Sequence, residues 1–138
     1  MTLITGKNGK TPYICSMKNS DKKRVYVDMD GVLCNFYKAA KQALTDNPKQ
    51  KYPQSQWGFF LKLEEIPGAI EGFRKLEEKY DLWILTRPSF RNVNCYTEKA
   101  QWIWDHLGFD IVEKTISLFF PKQRMFFYLF AFQYIHLD

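Results

Sequence analysis

A chain of 138 residues, 46% hydrophobic and 25% charged, is long enough for one domain with a real core, too short for two ordinary domains and too apolar to be disordered. Its formal charge of +5 hints at nucleic acid only until it is located: Lys7, Lys10, Lys18, Lys22, Lys23 and Arg24 stand against Asp21 alone, the rest of the chain is neutral, and the excess reads as a solvated leader with no nucleic-acid partner. Cys15, Cys34 and Cys95 lack metal-ligand spacing, no secretory signal opens the chain, and no apolar run reaches the roughly 18 residues of a membrane span, so reduced thiols, no membrane partner and a cytoplasmic location are expected.

Residues 1–23 are polar and broken by Gly6, Gly9 and Pro12, which predicts a loosely ordered leader. Gly9-Lys10-Thr11 is not a phosphate-binding loop, because Ile4 stands where that motif needs its first glycine. Val25-Tyr26-Val27 then reads as the end of a buried strand that delivers the chain into Asp28, Met29, Asp30 and Gly31. Alternation sends residues 28 and 30 to one side, and a chain leaving at Gly31 holds both carboxylates over one cavity. Side by side they repel and shift each other's pKa unless a cation lies between them, a setting that suits Mg²⁺. Asp30-Gly31 between apolar residues is equally a hairpin signal, although that leaves Asp28 unexplained.

Apolar residues at 36, 37, 40 and 44 predict a helix over Phe36 to Leu44, ended by Asn47-Pro48. After a polar link come Trp57, Phe59 and Phe60, either packed on the core or forming a small cap whose rings face a ligand. Pro67-Gly68 opens a helix carrying Ile70, Phe73, Leu76 and Tyr80 on one stripe, with Glu64, Glu65 and Glu71 near its positive end. Leu82 to Leu85 is a second strand, closed by Thr86-Arg87-Pro88-Ser89, and Arg87, preceding proline, resists helix. Tyr96, Ala100, Ile103 and Leu107 mark another helix stopped by Gly108, and Ile111 to Ile116 is long enough for a third strand.

Strands alternating with helices predict an α/β fold: a Rossmann-like parallel sheet with helices on both faces and a small helical cap, about residues 36–66, inserted after the first strand. Ligands of such sheets gather beyond the carboxyl ends of the strands, where Asp28, Asp30 and Thr86 fall by construction. The other reactive residues stay bland. His106 suits the negative end of its helix, His136 stands alone, Trp102 and Trp104 cannot share a helix face, and Cys34 has no basic partner in sequence.

Asp28-Met29-Asp30-Gly31-Val32-Leu33 resembles the first motif of haloacid dehalogenase-like phosphatases, and Leu85-Thr86-Arg87-Pro88-Ser89 resembles the second. Trp57-Gly58-Phe59-Phe60, Ile66-Pro67-Gly68-Ala69-Ile70, Tyr96-Thr97-Glu98-Lys99 and His106-Leu107-Gly108 are similar, more narrowly, to the 5′(3′)-deoxyribonucleotidases. The resemblance covers about residues 23–117. It implies that Asp28 is a nucleophile forming an aspartyl-phosphate, that Asp30 protonates the leaving oxygen and then activates water, and that both bind Mg²⁺. It further implies that Thr86 and the backbone N–H of Arg87 hold the phosphate of a nucleoside monophosphate, with the Arg87 side chain either pairing with phosphate or simply solvated, while Phe36, Trp57, Phe59 and Phe60 form the slot for its base. Another small-molecule phosphatase of the same superfamily, or a nucleotide-binding module without turnover, are the alternatives.

Past Ser117 the resemblance ends. The family implies a lysine and then Gly-Asp-x-x-x-Asp-Asp, whereas residues 118–138 are rich in aromatics and contain Asp138 as their only acid. The C-terminal part of the fold is therefore expected to be altered or missing. A shifted reading frame after about Ser117 accounts for this better than a native fourth strand over Phe126 to Ile135 or a membrane-seeking end. Low or absent turnover and self-association through the aromatic tail are the physical consequences expected.

Overall fold

A computed structural model describes residues 21–117. The aromatic tail, Lys122 and Asp138 included, and all but the last three residues of the leader lie outside the described residues. Three strands, β1 (Arg24–Asp28), β2 (Asp81–Thr86) and β3 (Thr115–Ser117), form a parallel sheet in the order β1-β2-β3. Helices α1 (Phe36–Asp46), α2 (Ala69–Glu77), α3 (Cys95–Leu107) and α4 (Phe109–Val112) make the connections, with 3-10 turns at Pro53–Ser55 and Phe60–Lys62 between α1 and α2. This is the α/β class the alternating pattern predicts.

Val27, Leu82 and Ile84 are buried on one face of the sheet, and Met29, Leu33, Phe60, Phe73, Trp102, Ile103 and Leu107 close over the same core. Helix α2 contributes Phe73 fully and Ile70 and Leu76 partly, as their spacing requires, and Tyr80, three residues past its end, packs on the same core. Helix α1 differs from its expected stripe. Its packed side is Phe36 and Ala39, while Tyr37 is 73% and Leu44 40% exposed, because the helix lies at the rim of the core. The expected third strand is also shorter: α4 occupies residues 109–112, buries Ile111 and defers the strand to Thr115. A short apolar run has no period that separates a strand from one helical turn, and here packing decides.

The register sets Asp28 opposite Leu85 and Thr86 opposite Ser117, so β1 and β2 end side by side at the carboxyl edge of the sheet. No hairpin follows Gly31. The chain instead wraps around the Met29 carbonyl, which accepts N–H groups from Val32, Leu33 and Cys34 at 3.0–3.3 Å, and then enters α1. Gly31 takes φ +85, a backbone conformation in which a side chain is strained.

Candidate active site

The carboxyl edge of the sheet opens into a cleft of about 760 Å³, lined by Asp30, Phe36, Gln54, Phe60, Arg87, Pro88, Ser89, Phe90 and Arg91. The turn after β1 supplies one wall through Asp30, the second 3-10 turn supplies Phe60, and the loop after β2 supplies Arg87 to Arg91. Asp28 sits at the end of β1, half-buried, its Oδ1 accepting the N–H of Met29 at 2.8 Å. Burial, and then the neighbouring Asp30 carboxylate, hold the Asp28 carboxyl above its ordinary value.

Lys99, on α3 and only 2% exposed, joins the parts of this edge. Its Nζ donates to Asp30 Oδ2 at 2.6 Å, to Thr86 Oγ1 at 2.9 Å and to the Arg87 carbonyl at 2.9 Å. It also stands 4.9 Å from the centre of the Phe60 ring. One ammonium thus spends its three protons on the ends of two different strands. Because the Thr86 oxygen accepts from Lys99, its hydroxyl proton is left to point elsewhere. The Arg87 guanidinium rests 5.2 Å from the centre of the Phe90 ring and has no carboxylate partner among the described residues.

Glu98, the preceding residue of α3, is equally buried and faces the other way. It accepts the backbone N–H of Gly58 at 2.9 Å and of Phe60 at 3.1 Å, with the Asn92 amide at 3.3 Å. The rings it supports form a cluster: Phe36 lies 5.6 Å from Phe59 and 6.2 Å from Phe60, the second pair nearly parallel. Phe36 and Phe60 reach the cleft. Trp57 does not: it is 73% exposed and, with Phe59, lines a separate groove of about 400 Å³ between α1 and residues 56–64. Of the residues singled out from sequence, then, Asp30, Arg87, Phe36 and Phe60 share one cleft. Thr86 is tied to it through Lys99 and Asp28 adjoins it, while Trp57 and Phe59 lie on the far side of the ring cluster.

Periodicity missed Glu98 and Lys99. The buried stripe of α3 runs through Cys95, Glu98, Lys99, Trp102, Ile103 and Leu107, a regular three-to-four spacing, but two of its members are charged and drop out of any apolar count. The usable signal was the phase they share with Cys95 and Trp102. Other reactive side chains have quiet settings. Burial, and then Asp30, push the Cys34 thiol up to about 12, so it stays protonated. His106 stacks on Trp102 at 3.9 Å, and its Nδ1 meets the Trp102 carbonyl.

No cluster of three or more metal-ligating side chains occurs among the described residues. Mg²⁺ asks for less than that, one or two carboxylates completed by water and phosphate oxygens. A partly buried pair of neighbouring carboxylates, whose mutual repulsion a cation would relieve, fits such an ion. No helix among the described residues is long and apolar enough to cross a membrane.

No family model matches the chain. Among curated proteins it is similar to the cytosolic-type 5′(3′)-deoxyribonucleotidase of Homo sapiens, at 32% identity over 126 aligned positions covering 67% of this chain and 62% of the relative. The mitochondrial 5′(3′)-deoxyribonucleotidase of Mus musculus is 28% identical, with 73% and 60% covered, and that of Homo sapiens 27% identical, with 67% and 54% covered. The chain thus spans 54–62% of the length of these curated relatives.

Proposed function

We propose that this chain, a partial match to the 5′(3′)-deoxyribonucleotidase family over about 70% of its residues, is a phosphomonoesterase of the haloacid dehalogenase-like type that takes deoxynucleoside monophosphates. The observation that carries this reading is Lys99, which gathers Asp30 from the first motif and Thr86 from the second around one ammonium. Composition or a chance Asp-Gly turn gives no reason for that convergence.

Asp28, at the strand end, would attack phosphorus and become the aspartyl-phosphate, splitting one displacement into two. Asp30 would protonate the leaving sugar oxygen and then take a proton from water. Of its two carboxylate oxygens, Oδ2 is held by Lys99 while Oδ1 has only the long 3.8 Å contact with the Cys34 thiol, which makes Oδ1 the oxygen free to carry the proton. The outward Thr86 hydroxyl and the Arg87 guanidinium would hold the phosphate, and the faces of Phe36 and Phe60 would meet the base. Mg²⁺, held by Asp28 and Asp30, would supply charge compensation for the phosphoryl oxygens. A cytoplasmic location fits the reduced thiols and the human relative named as cytosolic.

Residues 118–138 offer Asp138 alone as a further acid, and slow turnover by these 138 residues is part of the proposal. The test is release of phosphate from the deoxynucleoside monophosphates. Slow, Mg²⁺-dependent release that disappears in Asp28→Asn supports the reading. Calorimetric binding without release would reassign the chain as a nucleotide-binding module. Release from sugar phosphates that is indifferent to Phe36→Ala would point to another substrate of the same chemistry.

A further inference from the structure

We infer that Glu98 is a positioning residue for recognition of the base: a carboxylate that never meets the substrate sets the place of the Phe60 ring in the cleft. The inference rests on the nucleotidase reading and deepens it.

Three observations converge on Phe60. Its backbone N–H ends on Glu98 Oε2, its ring lies 4.9 Å under the Lys99 ammonium, and its edge of the cleft is shared with Phe36 and Asp30. Phe60 is therefore held at its backbone by Glu98 and faced at its ring by Lys99, consecutive residues of one helix. Gly58, at φ +75, bends the segment so that the N–H groups of residues 58 and 60 converge on a single carboxylate, an arrangement a straight chain does not reach. Asn92, in the loop after β2, orients that carboxylate and also donates to the Gln56 carbonyl at 3.2 Å. One turn further along α3, the Trp102 indole N–H donates to the Leu63 carbonyl at 2.8 Å and pins the far end of the same segment.

Neighbouring residues of α3 therefore serve the two ends of the cleft, Glu98 the base end and Lys99 the phosphate end. Any movement of α3 that released Phe60 from Glu98 would also carry Lys99 away from Asp30 and Thr86. A carboxylate is needed because two N–H donors and an amide donor arrive together, and a side chain with a single acceptor oxygen leaves one of them in competition. Glutamine at this position keeps the volume and loses one acceptor.

In the 138-residue chain with Mg²⁺, Glu98→Gln should weaken calorimetric binding of thymidine 5′-monophosphate about tenfold while leaving 2-deoxyribose 5-phosphate within about twofold, since base–ring contact is worth an interaction of that order. In the same variant without ligand, amide hydrogen exchange should quicken at residues 58 and 60 and stay unchanged at Leu82 and Ile84. Should the glutamine variant not fold, Glu98→Asp, which keeps the charge and withdraws the acceptors, should show the same split in smaller measure. Equal losses for the nucleotide and the sugar phosphate, or no loss for either, overturn the positioning role and leave the nucleotidase reading standing. Failure of the unsubstituted chain to bind thymidine 5′-monophosphate overturns both.

Discussion

Lys99 concentrates one full charge within 2.9 Å of three oxygens, on a side chain only 3% exposed, and that makes it the most consequential single residue of the edge. Desolvating an ammonium is costly, and here the offset comes from Asp30 and from two further acceptors that leave none of its protons idle. Lys99→Met removes the charge and keeps most of the volume. The Asp30 carboxylate would then repel Asp28 without the ammonium charge that now offsets both. Removing one partner of a fully buried pair costs about 3–5 kcal/mol, and the 29% exposure of Asp30 places this loss lower, at about 2–3 kcal/mol in urea unfolding. Phosphate release should fall with it. A variant as stable as the parent would show that the triple contact contributes nothing net.

Helix α3 works as an element because its buried stripe carries different chemistry side by side: Glu98 and Trp102 reach residues 58–63, in and beside the second 3-10 turn, and Lys99 reaches the carboxyl edge of the sheet. Trp102→Phe isolates one of those grips. It deletes the indole N–H, leaves the Leu63 carbonyl without that donor in a buried setting, and opens a small void where Trp102 is 0% exposed. A loss of about 2 kcal/mol is expected, together with faster amide exchange confined to residues 56–63. The position of α3 was readable from Ile103, Leu107 and the stop at Gly108, and β1, β2 and α2 from their apolar runs. What was not readable was the content of its inner face. Tyr96, counted in the expected stripe, is 53% exposed, whereas Glu98 and Lys99 are buried because each finds partners more than ten residues away that no local pattern encodes. The same limit explains α1, where Tyr37 satisfies the helical period yet meets no core. The strand-end acids were legible for the opposite reason: two carboxylates and a glycine at the end of an apolar strand form a local pattern, and the parallel topology alone fixes which end of the sheet they occupy.

At the scale of the whole sheet, the end opposite the cleft is held by a different charge cluster, and the two ends respond to acid in opposite directions. Asp81, at the start of β2, accepts from Arg24 of β1 at 3.1 Å, from Lys114 just before β3 at 3.1 Å, and from the Trp83 indole at 2.9 Å, so one carboxylate ties all three strands together. Burial alone would raise its pKa, but the hydrogen bonds from Trp83, Lys114 and Arg24 outweigh that and hold it below its ordinary value. The unfolded chain therefore takes up a proton here before the folded chain does. The stabilisation is fully present above the ordinary carboxylate value of about 3.9 and is lost as pH falls through the lower folded value. Asp28 runs the other way: its raised pKa means the folded chain binds the proton first, and acidification relieves its burial. Melting temperature alone would mix the two, and comparison with Asp81→Asn subtracts Asp28 from both sides. The parent should melt above the variant at pH 6, and the gap should narrow only as the pH falls below about 3.9 and close below the lower folded value, where Asp81 is neutral in both states. A gap that persists unchanged at low pH would mean that Asp81 acts through packing or hydrogen-bond geometry that an amide does not reproduce, and that the three strands are not joined by its charge.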